Sequence, residues 1–328
     1  MIHTLKYYIE HETDPYRNLA REKYLAETVG DEECILYLWQ NRHTVVIGRN
    51  QNAWQECRTT ELMRCGGHLA RRLSGGGAVY HDLGNLCFTF CVRTQNYNLR
   101  RQQSVIVEAC RLLGIPAEIS GRNDVLTDGR KFSGNSFYSH DGCSFHNGTL
   151  LLNVDMEHLS KYLNPSKAKL SGKGVASVRS RVINLCDLKP ELTVEMMENA
   201  MISAFETIYG GKAQAMTAAD FNEKRLDELH AQFASWDWNY GQVRPFTFTC
   251  SEKFDWGEIT LQFAVEDGIC RTADVFTDAM DPELASQLAQ VLQGSRFTIP
   301  DLCTRVASAF GCREITADLC GLLHKQDI

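Results

Sequence analysis

Five short segments rich in β-branched and aromatic residues occur in the first third of the chain, and they constrain its fold most strongly. They are separated by Gly, Asn and Asp, a pattern typical of strands joined by turns. The segments are CILYLW from Cys34, TVVIG from Thr44, HLARRL from His68, AVYH from Ala78 and LCFTFCV from Leu86. We therefore predict an α+β fold with a mixed, mainly antiparallel sheet.

The last of these segments also predicts which residues share a face, because side chains alternate along a strand. One face would carry the large apolar residues Leu86, Phe88, Phe90 and Val92. The other face would carry Cys87, Thr89 and Cys91. We expect these two cysteines to pack rather than react.

Helices are predicted on both sides of this region along the chain. One begins after Asp14 and Pro15, and another, from Gln102 to Leu113, has apolar residues at helical spacing before a Gly-Ile-Pro stop. A third helical region runs from about 194 to 209. The second of these helices is expected to cover the sheet.

A domain boundary is expected where aromatic residues give way to turn residues in SWDWNYGQVRPF, which spans 235–246. Beyond it, ITLQFAV and ICRTADVF flank a predicted hairpin turn at 266–268, and a helix closes at Gly294. We predict a larger domain of residues 1–245 and a small C-terminal α+β accessory domain of residues 246–328.

The charge balance and the hydropathy pattern exclude several classes of partner. The formal net charge is −7 and the isoelectric point is about 5.8, whereas a nucleic-acid-binding surface usually carries clustered positive charge. The N-terminus lacks the apolar core of a signal peptide, and no stretch approaches the ~20 apolar residues of a membrane span. We expect a cytoplasmic protein that binds neither nucleic acid nor a membrane.

Thirteen cysteines are scattered along the chain, an odd number, and none falls in a C-x-x-C pair. This pattern fits neither a zinc site nor a disulfide framework. Reduced and mostly buried thiols are expected.

Three consecutive glycines stand in RRLSGGGAVYHDLGN, from Arg71 to Asn85. Glycine lets backbone N–H groups approach an anion without obstruction by a Cβ atom. The segment is not a Walker A loop, because no Gly-Lys-Ser/Thr follows, and not a Rossmann fingerprint, because a strand is predicted after it. Taken alone, it is better interpreted as a flexible hairpin with solvated arginines.

Three further segments accompany this one: GRNDVLTDGRKFSGNSFY from Gly121, FHNGTLLLNVD from Phe145 and NPSKAKLSGKGVASVRSRVINL from Asn164. Together with the glycine segment and SWDWNYG, they resemble the lipoate-protein ligase family. The match keeps the same order over essentially the whole chain. Several independent motifs make it highly specific.

The resemblance implies that the larger domain is catalytic and has the fold shared with biotin protein ligases. It implies that lipoic acid and ATP, with Mg, are reactants, and that no cofactor is permanently bound. Lipoate would be activated as lipoyl-AMP. The lipoyl group would then pass to a lysine of an acceptor, either a lipoyl domain of a 2-oxoacid dehydrogenase complex or the glycine-cleavage carrier protein. No metal ligands are assigned.

The resemblance also implies site residues. Ser74 and His81 would line the acyl pocket or orient the phosphates, although for His81 a structural role is nearly as well supported. From their residue types, Asn123 and Asp124 would hold the Lys131 loop by side-chain-to-backbone hydrogen bonds, or Asp124 would pair with Arg122. Contacts with ATP or the adenylate are implied for Arg72, Gly75, Gly76, Gly77, Ala78, Val79, Tyr80, Asp124 and Lys131.

Lys131 matches the family lysine that contacts both lipoate and nucleotide. The chemistry agrees, because a carboxylate attacking the α-phosphate brings two anionic groups together and needs a fixed cation between them. A unit charge at about 4 Å is worth roughly 4 kcal/mol at an effective dielectric near 20, so its removal would cost up to about three decades in rate.

From Lys161 to Arg181 the chain has six basic residues and no acid. The general interpretation is a solvated connector. The resemblance implies instead a mobile loop over the adenylate, with Lys173, Arg179 and Arg181 near phosphate or near an acidic acceptor.

The sequence departs from the family at one place, where Asn147, Gly148 and Thr149 stand in the position of the common His-Gly-Thr. His146 is one place earlier and would point to the opposite face of a strand, so it need not replace the missing imidazole.

Two other functions are considered beside ligation. The first is an octanoyl or lipoyl transferase that acts through a cysteine thioester, for which Cys143 is the thiol closest in sequence to Lys131 and His146. The second is a non-catalytic binder of lipoyl domains or the adenylate.

Overall fold

An eight-stranded sheet forms the centre of the larger domain. The computed structural model describes residues 2–121, 123–163, 182–240, 248–266, 268–311 and 314–326, apart from the side chains at 54 and 55. The strands of this domain are β1 (Thr4–Ile9), β2 (Glu33–Trp39), β3 (Thr44–Ile47), β4 (His68–Arg71), β5 (Val79–His81), β6 (Asn85–Arg93), β7 (Glu118–Ser120), β8 (Asp124–Thr127), β9 (Arg130–His140), β10 (Cys143–Leu151) and β11 (Ala213–Ala215).

The strand order of the large sheet is β11-β1-β2-β6-β10-β9-β8-β7. β1 is parallel to β2 and β11, and the other neighbouring pairs are antiparallel. A second sheet, in the order β4-β3-β5, carries the glycine segment between β4 and β5. The prediction of a mixed, mainly antiparallel sheet is confirmed.

Helices surround these sheets, and their starts are capped by polar side chains. Asp14 accepts a hydrogen bond from the Tyr16 N–H at 2.9 Å at the start of the first helix, and Asn98 accepts one from the Arg101 N–H at 3.0 Å. The helices are α1 (Pro15–Thr28), α2 (Ala53–Glu56), α3 (Thr59–Arg64), α4 (Leu99–Leu112), α5 (Met156–Tyr162), α6 (Val194–Tyr209), α7 (Glu223–Ala234) and α8 (Trp236–Tyr240).

The large sheet is covered on both faces. Phe88 and Phe90 lie in the core with α4 and α6, whereas Cys87 and Cys91 lie in a second core on the opposite face with α1 and α7. This is the alternation that the sequence predicts for β6, and both cysteines serve as packing residues. Glycine and polar residues also occur within β9 and β10, and several of these residues face the candidate site.

The C-terminal domain has its own apolar core beneath a three-stranded antiparallel sheet. The predicted hairpin is confirmed, with Glu266 opposite Ile269, and the predicted helix ends just before Gly294. The expected boundary at 245 falls among residues 241–247, outside the described residues, so it stays a prediction. The elements are β12 (Phe248–Phe254), β13 (Gly257–Glu266), β14 (Ile269–Thr277), α9 (Leu284–Leu292), α10 (Ile299–Phe310) and α11 (Glu314–His324).

The cysteines agree with the expectation of reduced thiols. Twelve of the thirteen lie among the described residues; all twelve are free, and most are buried. Within the described ranges, no helix is both long and apolar enough to span a membrane.

Two predicted elements differ from the observed ones at their ends. α4 starts at Leu99, three residues before the predicted helix, because the Asn98 side chain caps it there. β4 ends at Arg71 because Arg72 turns away into the glycine segment. Local capping and tertiary contacts, rather than periodicity, set both ends.

Substitution of Gly148 tests how closely the strands around the site approach. A Cβ atom on Gly148 would lie 2.6 Å from the Gly134 carbonyl oxygen and 2.6 Å from Cζ of Phe88. Gly148→Ala should therefore lower the free energy of unfolding by about 2–3 kcal/mol in urea titrations. Gly321→Ala is the control, because its Cβ would meet no atom within 4 Å in α11. A wild-type unfolding midpoint for Gly148→Ala would contradict this packing.

Candidate active site

A cleft of about 470 Å³ opens between the large sheet, the glycine segment and the C-terminal domain. Eight of the predicted site residues line it: Arg72, Gly76, Gly77, Ala78, Val79, His81, Asp124 and Lys131. Strands β9 and β10 add Gly134, Asn135, Ser136, Asn147, Gly148 and Thr149. The C-terminal domain adds Lys253, Phe254, Asp255, Trp256, Gly257, Asp278 and Met280.

The glycine turn, residues 74–78, is held against the C-terminal domain. The Gly76 N–H donates to the Ala279 carbonyl oxygen at 3.2 Å, and a Cβ atom on Gly75 would lie 2.2 Å from the same oxygen. Gly76 also has a φ of +90°, which a residue with a side chain rarely adopts. Close backbone approach therefore requires glycine at both positions.

Arg72 holds this turn through hydrogen bonds to its carbonyl oxygens. Its guanidinium donates to the carbonyl oxygens of Gly75 at 2.7 Å, Gly77 at 2.9 Å and Val46 at 3.3 Å. Burial lowers the pKa of Arg72 to about 10, so the group stays protonated near neutral pH. The arginine supplies positive charge under the turn and fixes the shape of the turn.

Arg71 is also buried rather than solvated. It donates to the carbonyl oxygens of Gln51 at 2.6 Å and Arg49 at 2.9 Å, in the loop after β3. It also donates to those of Trp238 at 2.9 Å and Asn239 at 2.7 Å, in α8. The Trp238 indole also donates to the Arg71 carbonyl oxygen at 2.8 Å, so side chains and backbone together anchor α8 to β4.

Lys131 projects into the cleft from β9. Its ammonium lies 2.7 Å from Oδ1 of Asp124 on the neighbouring strand, and the two side chains are 38% and 41% exposed. A Cβ atom on Gly134 would lie 3.1 Å from the Lys131 Nζ atom, so this glycine leaves room for the lysine. The Arg122 partner considered for Asp124 lies outside the described residues.

A buried hydrogen-bond network lies beneath the cleft. The Asn147 amide donates to Oε1 of Glu22 at 2.9 Å, and Thr89 donates to the same oxygen at 2.7 Å. Asn147 Oδ1 accepts from the Ser136 hydroxyl at 2.6 Å, and the Ser136 and Ser74 hydroxyls are 2.8 Å apart. Ser74 thus supports Ser136 at the cleft wall and does not itself line the cleft.

Glu22 is a site residue that the sequence analysis missed. Burial raises the pKa of its carboxyl to about 7, against the hydrogen bonds from Thr89 and Asn147 and the charge of Arg72, which lower it. The sequence does contain a signal, because Glu22 stands one helical turn after Asn18 and one before Ala26, on the buried face of α1. A carboxyl group there needs polar partners.

The two histidines differ in position. His81 lines the cleft, where its Nδ1 atom lies 3.2 Å from the Asn41 amide and its Nε2 atom is buried without a hydrogen bond in the described structure. His146 points to the opposite face of β10 and packs against Phe88 and Phe90. Burial lowers the pKa of each to about 3, so both are neutral. His146 does not take the place of an imidazole at position 147.

The remaining predicted site residues either point away from the cleft or lie outside the described residues. The Tyr80 side chain packs between His43 and Tyr162, away from the cleft, so only its backbone is available to a ligand. Lys173, Arg179 and Arg181 lie outside the described residues. The chain that follows them passes beside the site, because the Ile183 N–H donates to the Lys131 carbonyl oxygen at 3.0 Å.

Within the described ranges, no cluster of three or more His, Cys, Asp or Glu side chains is arranged to hold a metal ion. Mg²⁺ keeps several waters and is commonly held by substrate phosphates with one or two carboxylates. Asp124, Asp255 and Asp278 line the cleft, so carboxylates are present that would suit a Mg²⁺ ion brought by a phosphate ligand.

Comparisons with known proteins identify relatives of both domains. Residues 14–206 match the lipoyl protein ligase A/B catalytic domain, and residues 244–318 match the bacterial lipoate protein ligase C-terminus. Lipoate-protein ligase A of Blochmanniella pennsylvanica is 42% identical over 289 residues, which cover 86% of this chain and 85% of that protein.

Two solved structures extend the comparison. P. falciparum LipL1 in complex with lipoate superposes with a TM-score of 0.85, at 27% identity, over 98% of this chain and 99% of its own. A bipartite lipoate protein ligase from Thermoplasma acidophilum, solved with its E2 lipoyl domain, gives 0.65 at 26% identity, over 74% of this chain and 99% of its own.

Glu22→Gln should remove a pH dependence of stability. Because the pKa of Glu22 is raised from 4.5 to about 7 on folding, its stabilisation is complete below the unfolded value and is lost as the pH rises through about 7. Wild type should lose about 3 kcal/mol of unfolding free energy from this group between about pH 4.5 and pH 8. Glu22→Gln should show no such loss over this pH range.

Urea unfolding across this pH range measures the effect. Glu195→Gln, at an exposed position of α6, is the control and should follow the wild-type curve. If the unfolding free energy of Glu22→Gln and of wild type depended on pH equally, the pKa of Glu22 would not be raised on folding.

Proposed function

The chain belongs to the lipoate-protein ligase family, and from that premise we propose that the cleft carries out both steps of lipoate ligation. In the first step the carboxylate of lipoate attacks the α-phosphorus of ATP, which gives lipoyl-AMP and pyrophosphate. In the second step the amine of an acceptor lysine attacks the mixed anhydride, which gives an amide and AMP. Neither step needs a covalent intermediate with the enzyme.

The position of Lys131 is the observation that carries this proposal. The reaction joins a carboxylate to a phosphate, and a cation between them lowers the repulsion as the two groups approach. Lys131 is half-exposed in the cleft, and its pairing with Asp124 at 2.7 Å holds its ammonium in place. A compact ammonium can bridge oxygens of both anions.

The glycine turn suits the nucleotide phosphates. Gly77, Ala78 and Val79 line the cleft beside the buried charge of Arg72, and Gly77 has open space where a Cβ would stand. Backbone close to an anion without side-chain obstruction is what a phosphate requires. We propose that MgATP binds here, with Mg²⁺ carried by the phosphates.

The deep end of the cleft suits the acyl tail of lipoate. Its walls include Leu19, Trp39, Val46 and Cys87, from the interior between α1 and the sheets. Each buried methylene contributes about 0.8 kcal/mol, so an aliphatic tail gains most of its affinity here. Octanoate should be a poorer but real substrate.

Lipoyl domains are the proposed acceptors, in 2-oxoacid dehydrogenase complexes or as the glycine-cleavage carrier protein. Support comes from the family and from the Thermoplasma ligase, whose structure was solved with its E2 lipoyl domain. The cleft is open to solvent beside Lys131, which gives a lysine of another protein a route to the adenylate. We further propose that the reaction takes place in the cytoplasm.

The cysteine transferase is less well supported by the thiols near the cleft. Cys87 lines the cleft, but burial raises its pKa well above the usual value, which disfavours the thiolate. Cys143 is buried at the far end of β10, four residues before Asn147, or about 13 Å along a strand. Its sulfur also accepts a hydrogen bond from Arg93 at 3.0 Å.

A non-catalytic binder would not need the Lys131–Asp124 pair. A binder of lipoyl domains would also not need a cleft that joins an apolar tail pocket to a turn suited to phosphates, whereas a binder of the adenylate would use such a cleft without reaction. The release of pyrophosphate separates this possibility from the ligase.

Lys131→Ala should lower lipoate-dependent pyrophosphate release from MgATP by two or more decades, measured without an acceptor protein, because the cation between the two anions is lost. Lys212→Ala, at a lysine 91% exposed and paired with Glu206, should keep the wild-type rate. No release by folded wild type would overturn the ligase assignment.

Omission of ATP separates the ligase from the transferase. With lipoyl domain as acceptor, single-turnover reactions should yield no product from an octanoylated or lipoylated donor protein when ATP is absent. Cys143→Ser should keep ATP-dependent ligation within about threefold of wild type, since Cys143 does not line the cleft. Cys87→Ser should still ligate only when ATP is present, because Cys87 contributes to the proposed tail pocket and not to a thioester. Acyl transfer without ATP that either substitution abolishes would favour the transferase.

A further inference from the structure

The C-terminal domain places a lysine at the cleft. Lys253 stands near the end of β12, just before the turn that leads into β13, and it is one of the residues that line the cleft. Alternation along β12 separates it from the core, because Cys250 and Phe254 face the interior whereas Ser251 and Lys253 are exposed.

Lys253 is the cation at the cleft that has no anionic partner among the described residues. The Arg72 guanidinium donates to three carbonyl oxygens, and Lys131 pairs with Asp124. Lys253 has Glu258 opposite it in the β12–β13 register, but no ion pair or hydrogen bond joins its ammonium to any residue that the structure describes. Its charge is therefore available to a ligand.

The hairpin that carries Lys253 is fixed to the segment that follows β14. Asp278 accepts a hydrogen bond from the Glu258 N–H at 2.6 Å, and the Thr277 hydroxyl donates to the Glu258 carbonyl oxygen at 2.7 Å. A Cβ atom on Gly257 would lie 2.9 Å from the Ala279 nitrogen. The hairpin and this segment thus form one unit.

The same segment is fixed to the glycine turn. The Ala279 carbonyl oxygen accepts from the Gly76 N–H, and the Thr277 N–H donates to the Asn50 carbonyl oxygen at 2.9 Å. These hydrogen bonds continue from the hairpin to the proposed phosphate site. Lys253 is consequently held at a defined position across the cleft from the glycine turn.

The charges at the cleft show why this position matters. Arg72, Lys131 and Lys253 are balanced by Asp124, Asp255 and Asp278, so the charged side chains that line it sum to zero. Without Lys253 the sum would be negative, and a triphosphate carries several negative charges of its own. Removal of one cation from a water-accessible cleft weakens anion binding by about tenfold.

We propose that Lys253 is a nucleotide-binding residue, supplied by the C-terminal domain, that contacts the phosphates leaving as pyrophosphate. The inference rests on the proposed function, because it assigns Lys253 to the adenylation step. Transfer of the acyl group follows the departure of pyrophosphate and does not use this contact. Lys253 should therefore act in adenylation and not in the transfer step.

The experiment compares Lys253→Ala and Lys253→Arg with wild type and with Lys325→Ala. Lys325 is in the same domain, pairs with Glu252 and does not line the cleft. For Lys253→Ala we expect the KM for MgATP and the inhibition constant of added pyrophosphate each to rise about tenfold. Lys253→Arg and Lys325→Ala should stay within about threefold of wild type. Transfer from prepared lipoyl-AMP to a lipoyl domain should be unchanged in all variants.

Three results would overturn the inference. The first is a wild-type KM and pyrophosphate inhibition in Lys253→Ala, and the second is an equal loss in the arginine variant. The third is an equal loss in transfer from lipoyl-AMP, which would indicate a structural role. If folded wild type released no pyrophosphate, the proposed function itself would fail. If wild type were active and every variant matched it, only the role of Lys253 would be rejected.

Discussion

Buried backbone carbonyl groups that need hydrogen-bond donors determine the shape of this active site. The loop after β3, the glycine turn and α8 meet in irregular structure, where no strand partner pairs their carbonyl oxygens. Arg71 and Arg72 donate to seven of these oxygens between them, and Arg72 also donates to the Val46 carbonyl oxygen of β3. An unpaired buried carbonyl costs about 1–3 kcal/mol, so the two arginines stabilise an arrangement that regular secondary structure cannot provide. The proposed phosphate site, the anchoring of α8 and the contact with the C-terminal domain all depend on this arrangement.

Sequence patterns predicted the regular parts of the molecule well. The alternation in β6 predicted which residues face each core, and the turn residues near 266–268 predicted the C-terminal hairpin. Both features depend on local sequence patterns. Patterns did not predict that Arg71 and Arg72 are buried, since their partners are backbone groups far away in the chain. The positions of Glu22 and Lys253 relative to the cleft were not predicted for the same reason. Their environments are made by elements that only the tertiary fold brings together.

Asn147, which stands where the family resemblance leads us to expect histidine, has a structural role in the network beneath the cleft. A neutral imidazole offers one donor and one acceptor, and an amide offers both. Asn147 uses its donor toward Glu22 and its acceptor toward Ser136. An imidazole at this position could meet the same two partners. The asparagine therefore retains the hydrogen-bond pattern while it gives up a group that titrates near neutral pH.

The contacts between the C-terminal domain and the glycine turn are made largely by the main chain. Gly76 bonds to Ala279 and Thr277 bonds to Asn50 through peptide groups that every residue type possesses. Such a joint depends on the number of residues that span it. The side chains of Thr277 and Asp278 also hold the hairpin through the Glu258 peptide groups. Over evolutionary time this stretch should therefore resist insertions and deletions, because its length, together with these two side chains, keeps the two domains in register.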